Sequence, residues 1–336
     1  MGGAAEMTLH RLVTRRSVMA AGATTAALLA RSPRGHAQAA DTVVVGKASP
    51  GAFSFVPPDI GVAEGIFAKH GIAIETVGLS GSAKLHQAMA AGNLDIGLGA
   101  GSDLIFPIKG VPETAIAAMA GPPLLMSIIV PWDSAIHVPD DLKGKRMGIS
   151  TVNSLTQWLA LELARQKGWG PDAYTFITVG AEPAPQIAAL VTGQIDALVS
   201  ATATGLRLAQ EKRGRNLLPA SDIVTNFMIH AIYASNKMVA ERPEVILRFL
   251  AAWFETIAFM YAQKQETVRV SRTVTNFPQD IEEQEYDIVM PMFSRDGRFD
   301  PRALAVLQRS FVDLHLLDSE PDLTKYYTER FLPSAS

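Results

Sequence analysis

The 336-residue chain contains no cysteine. That absence excludes disulfides, thiolate metal sites, iron–sulfur clusters and a cysteine nucleophile. It also excludes a lipid anchor carried on an N-terminal cysteine. Charged residues make up only 19% and aromatics 7%, against 48% hydrophobic. This composition is globular rather than disordered, and the length suits two domains. No phosphate loop, dinucleotide fingerprint or zinc-protease helix motif occurs. Outside the first 39 residues the histidines are His70, His86, His137, His230 and His315, with no pair four apart. They form no metal motif, and neither a metal nor a cofactor is expected.

The net charge of −3 is unevenly spread. Residues 1–39 hold Arg11, Arg15, Arg16, Arg31 and Arg34 against Glu6, which leaves −7 for the remainder. An acidic body gives no electrostatic reason to bind nucleic acid or an anionic membrane. Thr14-Arg15-Arg16-Ser17-Val18-Met19 is a twin-arginine pattern, Ala20 to Ala30 is uncharged and small, and Ala37-Gln38-Ala39 is a small-residue cleavage site. The order matches a twin-arginine signal peptide over 1–39, with Sec export through the same segment still open. The expectation is a periplasmic protein, soluble after cleavage. No other run reads as long and apolar enough to span a bilayer.

The body reads as strands alternating with helices, which predicts α/β sheets covered on both faces. Strands are expected at Thr42–Lys47, Ile72–Leu79, Asp95–Leu98, Lys145–Ile149, Thr175–Val179 and Ile195–Val199. Helices are expected at Asp59–Lys69, Ser82–Ala91, Ser154–Lys167 and Pro185–Thr192. Gly92-Asn93-Leu94-Asp95-Ile96 matches Gly193-Gln194-Ile195-Asp196-Ala197 at an offset of 101 residues. Two copies suggest two similar lobes rather than a solenoid. Asp95 and Asp196 are expected to fix the helix-to-strand turn, and Trp158 to fill a core. Met228–Ser235 reads as a strand going back, followed by helices at Pro243–Ala262, Glu266–Thr275, Glu282–Phe293 and Pro301–Leu316. Lobe 1 would thus be 40–133 and 232–336, and lobe 2 would be 134–231. The hinge crossings would fall at Trp132–Asp141 and Asp222–Ser235.

In open α/β sheets, ligands bind beyond the carboxyl ends of the strands. The loops there are rich in hydroxyls and small residues. The candidate ligand-binding residues are Ser49 and Phe53, then Ser80, Gly81 and Ser82, then Gly101, Ser102 and Asp103 in the first lobe. In the second they are Thr151, Asn153, Ser154, Glu182 and Thr202. Helix N-termini offer free N–H groups and partial positive charge, which suit an anion. Ser, Thr and Asn also cap helices without any ligand. Ser82 and Ser154 stand at helix starts and read as equivalent places of the two lobes. No nucleophile or acid–base pair is convincing, so no catalytic residue is assigned.

Ile60–Ile72 (I-G-V-A-E-G-I-F-A-K-H-G-I), Leu79–Ser82, Gln87–Gly97, Asp141–Gly148, Gln186–Ala197 and Ala234–Phe249 together resemble the nitrate/sulfonate/taurine group of ABC-transporter substrate-binding proteins. The resemblance runs from about residue 41 to about 333. It implies a type II periplasmic-binding-protein fold, with two lobes closing on a small-molecule ligand. It also implies delivery by a monomer to an ABC permease whose ATPase is a separate subunit. The same fold includes a thiamine-pyrimidine synthase, whose cysteine-rich motif is absent here. No arginine sits in the candidate loops, so sulfonates, carboxylates, aromatic acids and neutral pyrimidines all stay open as ligands.

Overall fold

The computed structural model describes residues 40–170 and 172–333, so the twin-arginine segment and its cleavage site lie outside the described residues. The chain opens with β1 (Asp41–Lys47), α1 (Pro57–Ala63), α2 (Ile66–Lys69), β2 (Ile72–Gly78), α3 (Ser82–Ala90) and β3 (Ile96–Ala100). The helix expected over 59–69 is therefore two. Gly65 adopts φ 69°, a left-handed conformation that glycine tolerates, and it divides α1 from α2. Then come α4 (Ile105–Ile108), β4 (Glu113–Ala120) and β5 (Met126–Pro131). The second sheet continues with β6 (Arg146–Ile149), α5 (Leu155–Gln166), β7 (Thr175–Thr178), α6 (Pro183–Val191), β8 (Ala197–Ala201), α7 (Thr202–Gln210) and β9 (Gly214–Pro219). β10 (His230–Ser235) returns to the first sheet and leads into α8 (Asn236–Glu241), α9 (Pro243–Ala262), α10 (Lys264–Thr275), α11 (Gln279–Val289) and α12 (Pro301–Asp313).

The sheet orders are β2-β1-β3-β10-β4 and β7-β6-β8-β5-β9. They share one plan, three parallel strands followed by an antiparallel strand in fourth place, β10 in one sheet and β5 in the other. The repeated Gly-x-x-Asp signature has the same physical role in both. Asp95 accepts the Val44 N–H at 3.0 Å and its own N–H donates to the Val44 carbonyl at 3.0 Å. Asp196 does the same with Arg146, at 2.9 Å each way. Asp95 thus pins β3 beside β1, and Asp196 pins β8 beside β6.

The first crossing differs from the sequence expectation. β5 pairs with β8 and β9, so residues 126–131 belong to the second sheet. The chain therefore crosses at 121–125, not at Trp132–Asp141. Ile128, Ile129 and Val130 are fully buried, and a short run apolar on both faces carries no pattern saying which sheet it joins. The return crossing occupies 220–229, between β9 and β10.

Among the described residues one helix, α9, is long and apolar enough to cross a membrane, with mean hydropathy 1.5, which the sequence reading passed over. Half of this apolar stretch is buried within the fold. Val245, Ile246, Phe249, Leu250, Trp253 and Ile257 sit in the core of the first sheet's side, so the helix serves as a packed core element.

Candidate ligand cleft

The topology decides where the candidate loops lie. β1, β2 and β3 run parallel, and β10 pairs its first residue, His230, with Ala100 and Ala120. The carboxyl ends of β1, β2, β3 and β4 therefore share the edge from which the chain leaves at 121. In the second sheet Met126 pairs with Ala201 and Ser127 with Pro219, so β5 enters at the carboxyl edge of β8 and β9. Both crossings join these two edges, and all the loops named from the sequence emerge there.

Neighbouring loops are tied backbone to backbone. Gly81 N–H donates to the Ala48 carbonyl at 2.9 Å and Leu79 N–H to Lys47 at 2.9 Å, which sets 80–82 beside 49–53. In the second sheet Gly180 N–H donates to Ser150 at 3.1 Å, which sets 180–182 beside 151–154.

The thirteen candidates divide by what their polar groups already do. Ser49, Ser80, Gly81, Thr151, Asn153 and Glu182 are exposed, and Ser82 and Ser102 are half-buried. The hydroxyls of Ser49, Ser80, Ser82, Ser102 and Thr151 make no hydrogen bond among the described residues, which leaves them free for a ligand. The other five are committed to the fold. Phe53 is buried against Tyr286 and Phe293, each with ring centroids 6.3 Å away. Gly101 donates to the Ile229 carbonyl at 2.9 Å. A side chain there would collide with the Met228 carbonyl, so the glycine serves contact with the return crossing. Thr202 is buried, donating its hydroxyl to the Leu124 carbonyl at 3.0 Å and meeting Ser127 Oγ at 2.9 Å; it fastens the first crossing to β8. Ser154 caps α5. Its Oγ donates to the Thr151 carbonyl at 2.7 Å and accepts from Gln157 N–H at 3.4 Å.

Asp103 is the fifth and lies inside a charge cluster. It accepts the Ala100 N–H at 2.8 Å. His86 stands between it and Glu113, with Nε2 3.1 Å from Asp103 and Nδ1 2.6 Å from Glu113. Burial alone would lower the His86 pKa, but the two carboxylates overcome it and raise it to about 9. The ring also stacks on Phe106 at 4.3 Å and meets Tyr233 edge-on at 5.2 Å. Burial raises the pKa of Glu113. The cluster joins α3, the 101–104 turn and β4 beneath the loops, which makes Asp103 a structural group rather than an open ligand contact.

Ser82 and Ser154 are not equivalent places. Ser154 follows β6, the counterpart of β1, whereas Ser82 follows β2, the counterpart of β7. The N-cap of α3 is Gly81, so Ser82 does not cap it.

Two polar groups at this edge escaped sequence reasoning. Lys47 ends β1, is buried, and pairs with Asp59. His230 begins β10, packs its ring against that of Phe55 in a tilted pair with centroids 4.7 Å apart, and places Nδ1 3.3 Å from the Gly99 carbonyl. Burial lowers its pKa to about 4, so the ring is neutral. Neither residue belongs to a motif; only the strand order brings them here. A cavity of about 250 Å³ lies behind the crossings, lined by Gly121, Phe227, Met228, Met292, Phe293 and Arg298 among others. A wider, open depression surrounds Arg298, Asp300 and Tyr327. Neither touches a candidate loop.

Two α/β lobes of matching topology, joined at their carboxyl edges by two crossings, define the periplasmic-binding-protein fold, and solved structures bear this out. The aliphatic sulphonate-binding protein SsuA of Escherichia coli superposes with TM-score 0.73 at 18% identity, covering 85% of this chain and 91% of that one. The alkanesulfonate-binding SsuA of Xanthomonas axonopodis pv. citri, bound to MOPS, gives 0.70 at 17%, covering 85% and 98%. The desulfurization enzyme DszB gives 0.66 at 16%, covering 87% and 97%. No curated protein matches the sequence. The NMT1/THI5-like family model matches residues 55–267, and the chain belongs to that family.

Proposed function

We propose that this protein is the extracytoplasmic solute-binding component of an ABC importer. It takes a small organic anion, a sulfonate, a carboxylate or a relative of these, between its two lobes, and passes it to a permease coupled to a separate ATPase. The observation that carries this reading is the convergence of the strand-end loops, with uncommitted hydroxyls on Ser49, Ser80, Ser82, Ser102 and Thr151, on the edges joined by both crossings. α3 and α5 begin at these loops and add free backbone N–H groups. Binding to sulfonates by structural neighbours of the same fold agrees with an anionic ligand. DszB shows that the fold also carries enzymes. Here the carboxylate–histidine cluster is sealed beneath the loops, and the cysteine-free chain has no thiol nucleophile. The twin-arginine pattern of residues 14–19 supports export to the periplasm, and the protein acts there as a monomer.

A thermal-shift panel of alkanesulfonates, aminosulfonates, aliphatic and aromatic carboxylates and pyrimidines tests the reading. One chemical class should raise the melting temperature in a concentration-dependent way, and calorimetry should return the compound unchanged at one per chain. Conversion of a panel member into a product, or no shift with any anion while a pyrimidine binds, would overturn it.

A further inference from the structure

Side chains of α5, in the second lobe, reach α12, which packs on the first. Trp158 Nε1 donates to Asp313 Oδ2 at 3.2 Å, and Arg309 Nη2 donates to Glu162 Oε2 at 3.2 Å. Arg309 Nε is also 3.7 Å from Asp313. Glu162 is buried, and it is held from its own helix by Arg165 at 2.8 and 2.6 Å and by Gln166 at 3.0 Å. Burial would raise the Glu162 pKa, but these bonds and the two guanidinium charges bring it below the usual range. The return crossing is clamped by the same helix. Trp158 stacks on Phe227 with centroids 5.3 Å apart, and Gln166 donates to the Ile223 carbonyl at 2.5 Å.

The two covalent crossings lie side by side, since Ile229 N–H donates to the Gly121 carbonyl at 3.2 Å. Two adjacent straps resist separation of the lobes but resist twisting poorly. A third attachment, displaced from the straps, removes that freedom and leaves bending. The α5–α12 contact supplies such an attachment: Trp158 and Glu162 on the α5 side are buried, and on the α12 side Arg309 is half-buried and Asp313 exposed. α7 of the second lobe also packs on α11, and there Gln210 donates to Asp280, but that side-chain bond is exposed to water and adds little of its own.

We propose that the Arg309–Asp313 face of α12 is a tether for α5, a third connection that fixes the axis about which the lobes move and so positions the 151–154 loop. Arg309 is then a positioning residue, acting through Glu162 rather than on a ligand. The proposal rests on the two-lobed binding reading, but it is tested without ligand, so a wrong ligand class leaves it standing.

The absence of native cysteines permits a clean test. Asn93→Cys and Gln194→Cys are exposed positions at corresponding turns of the two lobes, and both can carry fluorophores. Single-molecule energy transfer on the ligand-free protein should show one narrow distance population. Arg309→Met should broaden it or add a second population. Glu162 keeps Arg165 and Gln166 in this variant, so the buried carboxylate is not orphaned and the chain should still melt cooperatively. Arg309→Lys should return the distribution towards the narrow form. Trp158→Phe, which keeps the ring against Phe227 but loses the N–H to Asp313, should broaden it too, and it decides the matter if Arg309→Met does not fold. An unchanged distribution in a folded Arg309→Met or Trp158→Phe protein would overturn the tether.

Discussion

Ser82 and Ser154 offer the sharpest separation of binding from capping. Both were natural candidates for an anion contact, and the structure gives them different duties. The Ser154 hydroxyl is already used, donating to the Thr151 carbonyl at 2.7 Å and accepting from Gln157 N–H. Ser154→Ala should therefore lower stability by roughly 1 kcal/mol, the usual loss for an N-cap serine, with affinity changed less than about threefold, under 1 kcal/mol. Ser82 caps nothing, since α3 begins after Gly81, and its hydroxyl has no partner among the described residues. Ser82→Ala should leave the melting curve within about 0.5 kcal/mol of the parent, as for an ordinary surface substitution. A hydrogen bond to a charged ligand contributes roughly 1.5–3 kcal/mol, so affinity should fall by one to two decades at about 1.4 kcal/mol per tenfold. Chemical denaturation and titration calorimetry, run on both variants with the ligand found by the thermal-shift panel, read the two quantities independently. Equal affinity losses from the two variants, or an affinity loss from Ser154→Ala alone, would refute the division of duties.

Other consequences follow from the same geometry. His86→Leu leaves Asp103 and Glu113 buried without their cation and should cost about 3–5 kcal/mol in denaturant titration; a loss under 1 kcal/mol would mean the cluster is not charged. The His86 pKa is raised from 6.5 to about 9 on folding, so its contribution is complete below about 6.5 and fades as pH rises through 9. Stability measured from pH 6 to 10 should fall across that window in the parent and less steeply in His86→Leu. Asp95→Ala removes the acceptor of the Val44 N–H and a weaker ion pair to Arg242, and should lower stability by about 1–2 kcal/mol; a neutral effect would count against its role as the strand pin. Replacing Arg15 and Arg16 together with lysine should block twin-arginine export, and normal periplasmic accumulation of that variant would assign export to Sec instead.

Periodicity and turn chemistry made most of the parallel strands and their helices legible. The strands at 72, 145 and 175 begin within a residue of their expected positions, and α9 matches throughout. The Gly-x-x-Asp repeat was visible as a motif, and its duplicated hydrogen bonds explain why the spacing is shared. What escaped were features set by tertiary pairing. β4 and β5 are buried on both faces and show no alternation, so neither the existence of β4 nor the sheet to which β5 belongs could be read from pattern. The edge strand β9 has a mixed sequence and follows α7, a helix that escaped notice because Thr202, Thr204 and Gly205 break its helical pattern. Residue type pointed to the loops at the carboxyl edge of each sheet but could not separate free hydroxyls from committed ones. Ser80 and Ser154 look alike in sequence. Only the partners of each hydroxyl, a local cap for one and none for the other, distinguish them.

The claim that the lobes close on a ligand is tested most directly by small-angle X-ray scattering on the same sample with and without saturating ligand. A hinge-bending binder shifts its population from open to closed on binding, so the radius of gyration should decrease and the scattering of the two states should differ in the range set by interlobe distance. An identical radius of gyration at saturation, with calorimetry confirming occupancy, would contradict closure and with it the account of the crossings as a hinge.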